Sequence, residues 1–200
     1  MRKHPPSDID PAQSLEPKLA ALRNATTTRP AQPLAFLALG DLLGRLGRFG
    51  EAIAVFEEGL TLEPRAIVLR VGLGYVHLNR NDRGAARHHF EVVRAAAPER
   101  YDGMVGLAHV LAAQGDYPAA ADLYRGALGL QPDNAATRLS LGKCLLEMGE
   151  REAGEAELRI AARGGPQSLW PAITALASTP HGRVFLTADA AARFLGVDAP

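Results

Sequence analysis

Apolar residues fall along this chain at spacings of three and four, the interval at which side chains share one face of an α-helix. The pattern predicts one kind of helix around Leu39, Leu73, Leu107 and Leu141, and a second kind around Phe56, Phe90, Tyr124 and Leu158. The alternation has a fixed period: Pro30, Pro64, Pro98, Pro132 and Pro166 each stand 34 residues after the one before. A proline lacks the N–H and the φ freedom that a helix interior needs. Each is therefore expected just past the second helix of a unit, where it stops that helix.

Aligning four units from Pro33, Ile67, Tyr101 and Ala135 brings further columns into register. The seventh place holds the four leucines, followed by Gly40, Gly74, Ala108 and Gly142. An inward leucine anchors the first helix, and the small residue beside it lets a second helix approach with no side chain between. In the second helix Ala52, Ala86, Ala120 and Gly154 precede the large residues by four, and Gly59, Val93, Ala127 and Ala161 follow them by three. Between the helices stand Gly47, Asn81, Gly115 and Gly149, residue types that accept the left-handed conformation closing a helix end.

Taken together these columns resemble the tetratricopeptide repeat, whose 34-residue pattern includes an inward Leu followed by Gly, then Ala, Phe, Ala and a closing Pro. The resemblance covers residues 33–166. It departs from the family at the fourth place, where Phe36, Arg70, Met104 and Arg138 stand for the favoured Trp, and at the eleventh, where Leu43, His77, Leu111 and Leu145 stand for Tyr. It implies an all-α, right-handed solenoid of four complete helix-turn-helix repeats at residues 33–66, 67–100, 101–134 and 135–168. Terminal apolar faces of such a stack need caps. Residues 11–32 are read as an N-terminal capping half-repeat, with Leu19, Leu22 and Ala25 on its stripe and a helix over about residues 17–24; residues 169–200 are read as C-terminal capping helices and tail. There Leu169, Trp170, Ile173 and Leu176 are expected to cover the last unit, and Thr187 to cap a final helix carrying Ala192, Phe194 and Leu195. Residues 1–10, with two prolines and two aspartates, are expected to be a disordered start.

For function, the resemblance implies a non-catalytic adaptor or scaffold holding a peptide or helix of a partner protein on a concave face lined by the first helices. The family's ligand-facing places fall on Leu34, Val68, Asp102 and Ala136; on Leu37, Val71, Val105 and Leu139; on Asp41, Tyr75, His109 and Lys143; and on Gly44, Leu78, Ala112 and Leu146. An aliphatic floor beside a changing polar row suits an amphipathic helix or an extended apolar segment. The plainer alternative is that the fifth-place residues pack between neighbouring first helices. Tyr75 and His109 join an apolar body to a polar tip, and Asp41 and Lys143 at opposite ends of the row would orient a ligand. The carboxylate clamp of one family subgroup has no counterpart: its five places read Leu37, Asp41, Gly72, Asp102 and Gly106, or Val71, Tyr75, Gly106, Ala136 and Ser140, none of them cationic.

Charge and chemistry narrow the alternatives. Lys plus Arg and Asp plus Glu are 22 each, so no global field draws a polyanion or an anionic membrane. One local exception, Arg80, Arg83, Arg87, His88, His89 and Arg94, would suit nucleic acid or an acidic partner, but Asp82 and Glu91 interrupt it and no aromatic platform accompanies it. The amino terminus carries charge with no apolar run behind it, so neither a secretory signal nor a membrane anchor is expected and the cytoplasm is the expected compartment. Arginine far outnumbers lysine, as in GC-rich bacterial genomes. A single cysteine, Cys144, excludes an internal disulfide, and its place beside Leu42, Val76 and Val110 reads as a buried small hydrophobe. His88 and His89 are adjacent and point about 100° apart, so they do not share a metal. Ser140 and His109 lack a third orienting group and an oxyanion hole. No catalytic residue, metal or cofactor is expected. Two other readings remain: a small secretion or assembly chaperone for one client, and self-association through an apolar tail around Phe185, Leu186, Phe194 and Leu195 occupying the groove. The oligomeric state is left open.

Overall fold

Four residues between the paired helices take the left-handed conformation: Gly47 (φ 73°), Asn81 (φ 63°), Gly115 (φ 86°) and Gly149 (φ 80°). The amide two or three residues beyond each first helix turns back to satisfy a carbonyl of its last turn, as Arg48 N–H does to Leu43 O at 2.9 Å and Glu150 N–H to Leu145 O at 2.9 Å. Helix starts are capped by side chains where the sequence supplies them: after the turns Asp82 accepts from Ala85 N–H and Asp116 from Ala119 N–H, and between units Asn134 accepts from Thr137 N–H.

The computed structural model describes residues 11–28, 30, 32–183 and 187–197. The expected disordered start at residues 1–10, and Phe185 and Leu186 of the tail, lie outside the described residues. Among those described, every regular element is a helix. The chain divides into two compact units, residues 1–81 and 82–200. The first contains α1 (Pro11–Thr26), α2 (Pro33–Arg45), α3 (Phe49–Leu62) and α4 (Ile67–Asn79). The second contains α5 (Arg83–Ala96), α6 (Tyr101–Gln114), α7 (Tyr117–Leu130), α8 (Ala135–Glu147), α9 (Arg151–Ala162), α10 (Pro166–Ser178) and α11 (Ala188–Leu195).

Within the first unit each helix packs on the next and α2 also touches α4. Leu19 of α1, Phe36, Leu39 and Leu43 of α2, Ala52 and Phe56 of α3, and Leu69, Leu73 and Val76 of α4 form its core. The Phe56 ring sits where a Cβ at Gly40 or at Gly72 would overlap it, so both glycines are required by close packing. The α1 helix is longer than the expected residues 17–24 and carries Pro17 inside it.

The second unit repeats this sequential packing from α5 to α11, with α8 also touching α6 and α10. Phe90 occupies the space a Cβ at Gly106 would need, and α8 meets α9 so closely that a Cβ at Gly142 would lie 3.0 Å from the Gly154 carbonyl oxygen. Its C-terminal core joins Leu146, Leu158, Leu169, Leu176, Ala192 and Leu195.

Three expectations are corrected here. Pro166 does not end a second helix. After α9 stops at Ala162, Gly165 (φ 110°) reverses the chain and Pro166 becomes the first residue of α10, the one helical position where a missing N–H costs nothing. The C-terminal segment thus starts its first helix before residue 169. Trp170, expected to cover the last unit, is 51% exposed while its neighbours Leu169 and Leu176 are buried. The tail helix α11, capped as expected by Thr187 accepting from Ala190 N–H, packs on α9 and α10.

An ionic hub unforeseen in the sequence pins this tail. Glu155 of α9, 4% exposed, receives Arg183 Nε at 2.5 Å, Arg151 Nε at 3.2 Å and Arg159 Nη2 at 3.6 Å. Burial alone would push its carboxyl up, but the hydrogen bonds and charges of Arg183 and Arg151 win and hold it below the ordinary carboxylate range. The Arg159 and Arg183 guanidiniums lie 4.3 Å and 4.8 Å from the centre of the Phe194 ring, and Arg159 Nε donates to Phe194 O.

Candidate functional site

The polar row Asp41, Tyr75, His109 and Lys143, spaced by 34 residues, is divided by the fold into two pairs, each lining a cavity within one unit. In residues 1–81 a cavity of about 230 Å³ lies between α2 and α4, lined by Asp41, Gly44 and Arg45 on one side and Gly72, Tyr75, Val76 and Asn79 on the other. The Asp41 carboxyl is raised above its ordinary value by partial burial, against the opposing pull of Arg45.

In residues 82–200 the corresponding cavity is larger, about 320 Å³, and lies where α6, α7 and α8 meet. His109, Ala112 and Ala113 line it from α6, Tyr117 and Tyr124 from α7, and Ser140, Lys143, Cys144 and Glu147 from α8. One column of the repeat lines both cavities, as Gly72 in the first and Ser140 in the second. Phe56 and Phe90 press on Gly72 and Gly106 of the following first helix, whereas the residue 34 beyond Gly106 is Ser140, opposite Tyr124 in the same register. Tyr124 is buried, with the His109 ring 5.6 Å from it and tilted by 59°, within the range of favourable aromatic contact. Burial lowers the His109 pKa, so at neutral pH the imidazole is uncharged. Burial likewise pushes the Cys144 thiol up to about 11 despite nearby Lys143, so it lines the wall as a neutral thiol. Ser140 Oγ donates to Ala136 O at 3.1 Å.

The aliphatic floor expected beside the row is mostly packing. Val71 and Val105 are each 7% exposed, so at these two fifth-place positions the side chain is packed rather than open. Leu37 and Val68 pack, half-buried, against the first unit's core, and Leu139 against the second's. Leu34 is the exception at 68% exposed. Asp102 is half-buried and taken by Arg100, whose Nη2 donates to Oδ2 at 2.9 Å. Arg45, Asn79, Ala113, Tyr117 and Glu147, which line the cavities, lie outside the family's ligand-facing places. Their recurrence four residues after the polar row in Arg45, Asn79, Ala113 and Glu147 is the signal that could have found most of them.

Of the basic cluster on α5, Arg87 pairs with Glu91 at 2.8 Å, and Asp82 caps the helix. Among the described residues no group of three or more His, Cys, Asp and Glu is placed to hold a metal ion, and no helix is long and apolar enough to cross a membrane.

Comparison with curated proteins finds no match. Among solved structures, a thermophilic TPR protein from Thermus thermophilus is similar with a TM-score of 0.66 at 22% identity, over 75% of this chain and 84% of that one. MamA from Desulfovibrio magneticus RS-1, from its residue 41 onward, gives 0.64 at 20% identity over 76% and 86%. YrrB, described as a TPR protein with an unusual peptide-binding site, gives 0.62 at 18% identity over 88% and 91%. Three family models, each described as tetratricopeptide repeat, match residues 34–65, 71–135 and 111–177. With the period of 34 residues and the paired helices already established, the chain belongs to the tetratricopeptide repeat family.

Proposed function

We propose that this protein is a non-catalytic adaptor that holds a polypeptide segment of a partner on the face formed by its first helices. The observation that carries the reading is the placing of the polar row at cavities on that face, Asp41 with Tyr75 in one unit and His109 with Lys143 in the other. A buried packing position has no use for residues that change from acid to phenol to imidazole to ammonium, whereas a recognition surface does. YrrB, similar in fold, is described as having a peptide-binding site, which supports a polypeptide as ligand. Each unit brings its own part of the working surface: Asp41 and Tyr75, with the exposed Leu34 and the half-buried Leu37 and Val68, in the first, and His109 and Lys143, with the half-buried Leu139, in the second. Val71, Val105 and Asp102 support these residues rather than contact the ligand.

The test is selection from a random peptide display library on the immobilised full chain, with the double variant Tyr75→Ala, Lys143→Glu as the comparison. Both positions are solvent-accessible, so circular dichroism should show unchanged helicity. Peptides retained at least tenfold better by the unaltered protein support the reading. Equal retention by both proteins, or no selected peptide, refutes it.

A further inference from the structure

We propose that the cavity among α6, α7 and α8 receives one uncharged aromatic side chain of the bound polypeptide, which makes it the specificity pocket of the adaptor reading on which this inference rests. The argument begins with charge. Lys143 and Glu147, one turn apart on α8, bring opposite charges to the lining, and His109 and Cys144 beside them are neutral at pH 7. The lining therefore has no net charge to offer an ion. A carboxylate entering to meet Lys143 also meets Glu147, and a guanidinium entering to meet Glu147 also meets Lys143, and either gives up its hydration beside a neutral imidazole. A neutral occupant incurs none of these costs.

Size and wall chemistry then favour a ring. A cavity of about 150 Å³ is enough to hold benzene, and this one of about 320 Å³ has room for a single aromatic side chain but stands at the low end for a whole small ligand, roughly 300 Å³ and upward. Tyr117, Tyr124 and His109 bring rings to the lining, Ala112 and Ala113 are small, and the Lys143 ammonium in the same lining can lie over the face of an inserted ring. An aliphatic side chain would bury similar area without those ring contacts. The cavity in residues 1–81 also carries an opposite-charge pair, Asp41 and Arg45, but it is smaller, about 230 Å³, and Tyr75 is the one ring in its lining.

The decisive experiment is an NMR titration of the full-length, 15N-labelled protein with N-acetyl amides of phenylalanine, tyrosine, leucine, aspartate and arginine. It is repeated on Ala113→Trp, which plugs the cavity from an exposed position, and on Ser140→Leu as an independent plug, each checked for an unchanged spectrum elsewhere. Support consists of saturable shifts at residues lining the cavity with the aromatic amides, at least about fivefold weaker with the other three, and lost in both plugged variants. Shifts that persist in the plugged proteins, a preference for leucine or a charged amide, or no saturable shift at all would overturn the pocket assignment. Peptide selection then separates the two readings: selected peptides that lack any aromatic requirement leave the adaptor standing without this pocket, whereas failure to select peptides removes the adaptor itself.

Discussion

At the scale of single residues, the glycines of this chain divide into those that make room and those that do not. A Cβ at Gly106 would overlap the fully buried Phe90 ring, and overpacking a core typically costs about 1–3 kcal/mol. Gly106→Ala should therefore destabilise the protein by about 2 kcal/mol in urea titration. Gly126, in the middle of α7, meets nothing closer than the Met104 sulfur at 3.6 Å, so Gly126→Ala should instead stabilise it by about 0.5–1 kcal/mol through helix propensity. Equal effects from the two substitutions would contradict the packing described here. The large residues at Phe56, Phe90 and Tyr124 were legible in the sequence because their spacing repeats, whereas Gly72 and Gly106, on which Phe56 and Phe90 press, lie two places before the small residues the pattern singled out, Gly74 and Ala108. Trp170 was misread for the complementary reason. Periodicity reports that residues share a face, and with Leu169 and Trp170 adjacent in sequence, only packing decides which of the two turns inward.

At the scale of elements, α11 is held by both an apolar face and an ionic hub. Glu155 carries a carboxyl whose pKa in the folded state lies below the ordinary value. Its stabilising contribution is thus fully present above the ordinary carboxylate pKa and is lost as pH falls through that value towards the lower, folded one. Glu155→Gln should cost about 2 kcal/mol at pH 7, and the gap between variant and unaltered protein in urea midpoint should close as pH falls through and below the ordinary carboxylate range. A gap that stays constant with pH would show that Glu155 acts through shape alone. The hub was invisible beforehand because Arg183 joins Glu155 across 28 residues and belongs to no repeat column. The turns were legible for the opposite reason: Gly47, Asn81, Gly115 and Gly149 act within a few residues of chain, where residue type alone sets the available conformations.

On the scale of the whole molecule, α11 packs on α9 and α10 at the end of the second unit, and the described residues of the tail contribute nothing to the lining of the two candidate cavities. Leu195 is buried with Leu146, Leu158 and Leu176. Ending the chain after residue 183 should lower the melting temperature by roughly 5 °C while leaving the affinity for selected peptides unchanged. A rise in affinity would instead mean that the tail competes for the site.

The sequence by itself determined the family, the helical class, the turns and the row of residues at the candidate site, because each is written in local conformational preference or in a period of 34 residues. What only the tertiary structure decided was accessibility. Val71 and Val105 occupy the same place in their units as Leu37 and Leu139, yet the first two are buried and the others half-buried, since burial depends on which neighbouring helix closes over a position. The larger cavity likewise exists because Tyr124, Ser140 and His109, 31 residues apart from first to last, meet only once three helices are packed. Spacing along a chain fixes the face a residue occupies, and the volume left in front of that face is a property of the packed neighbours.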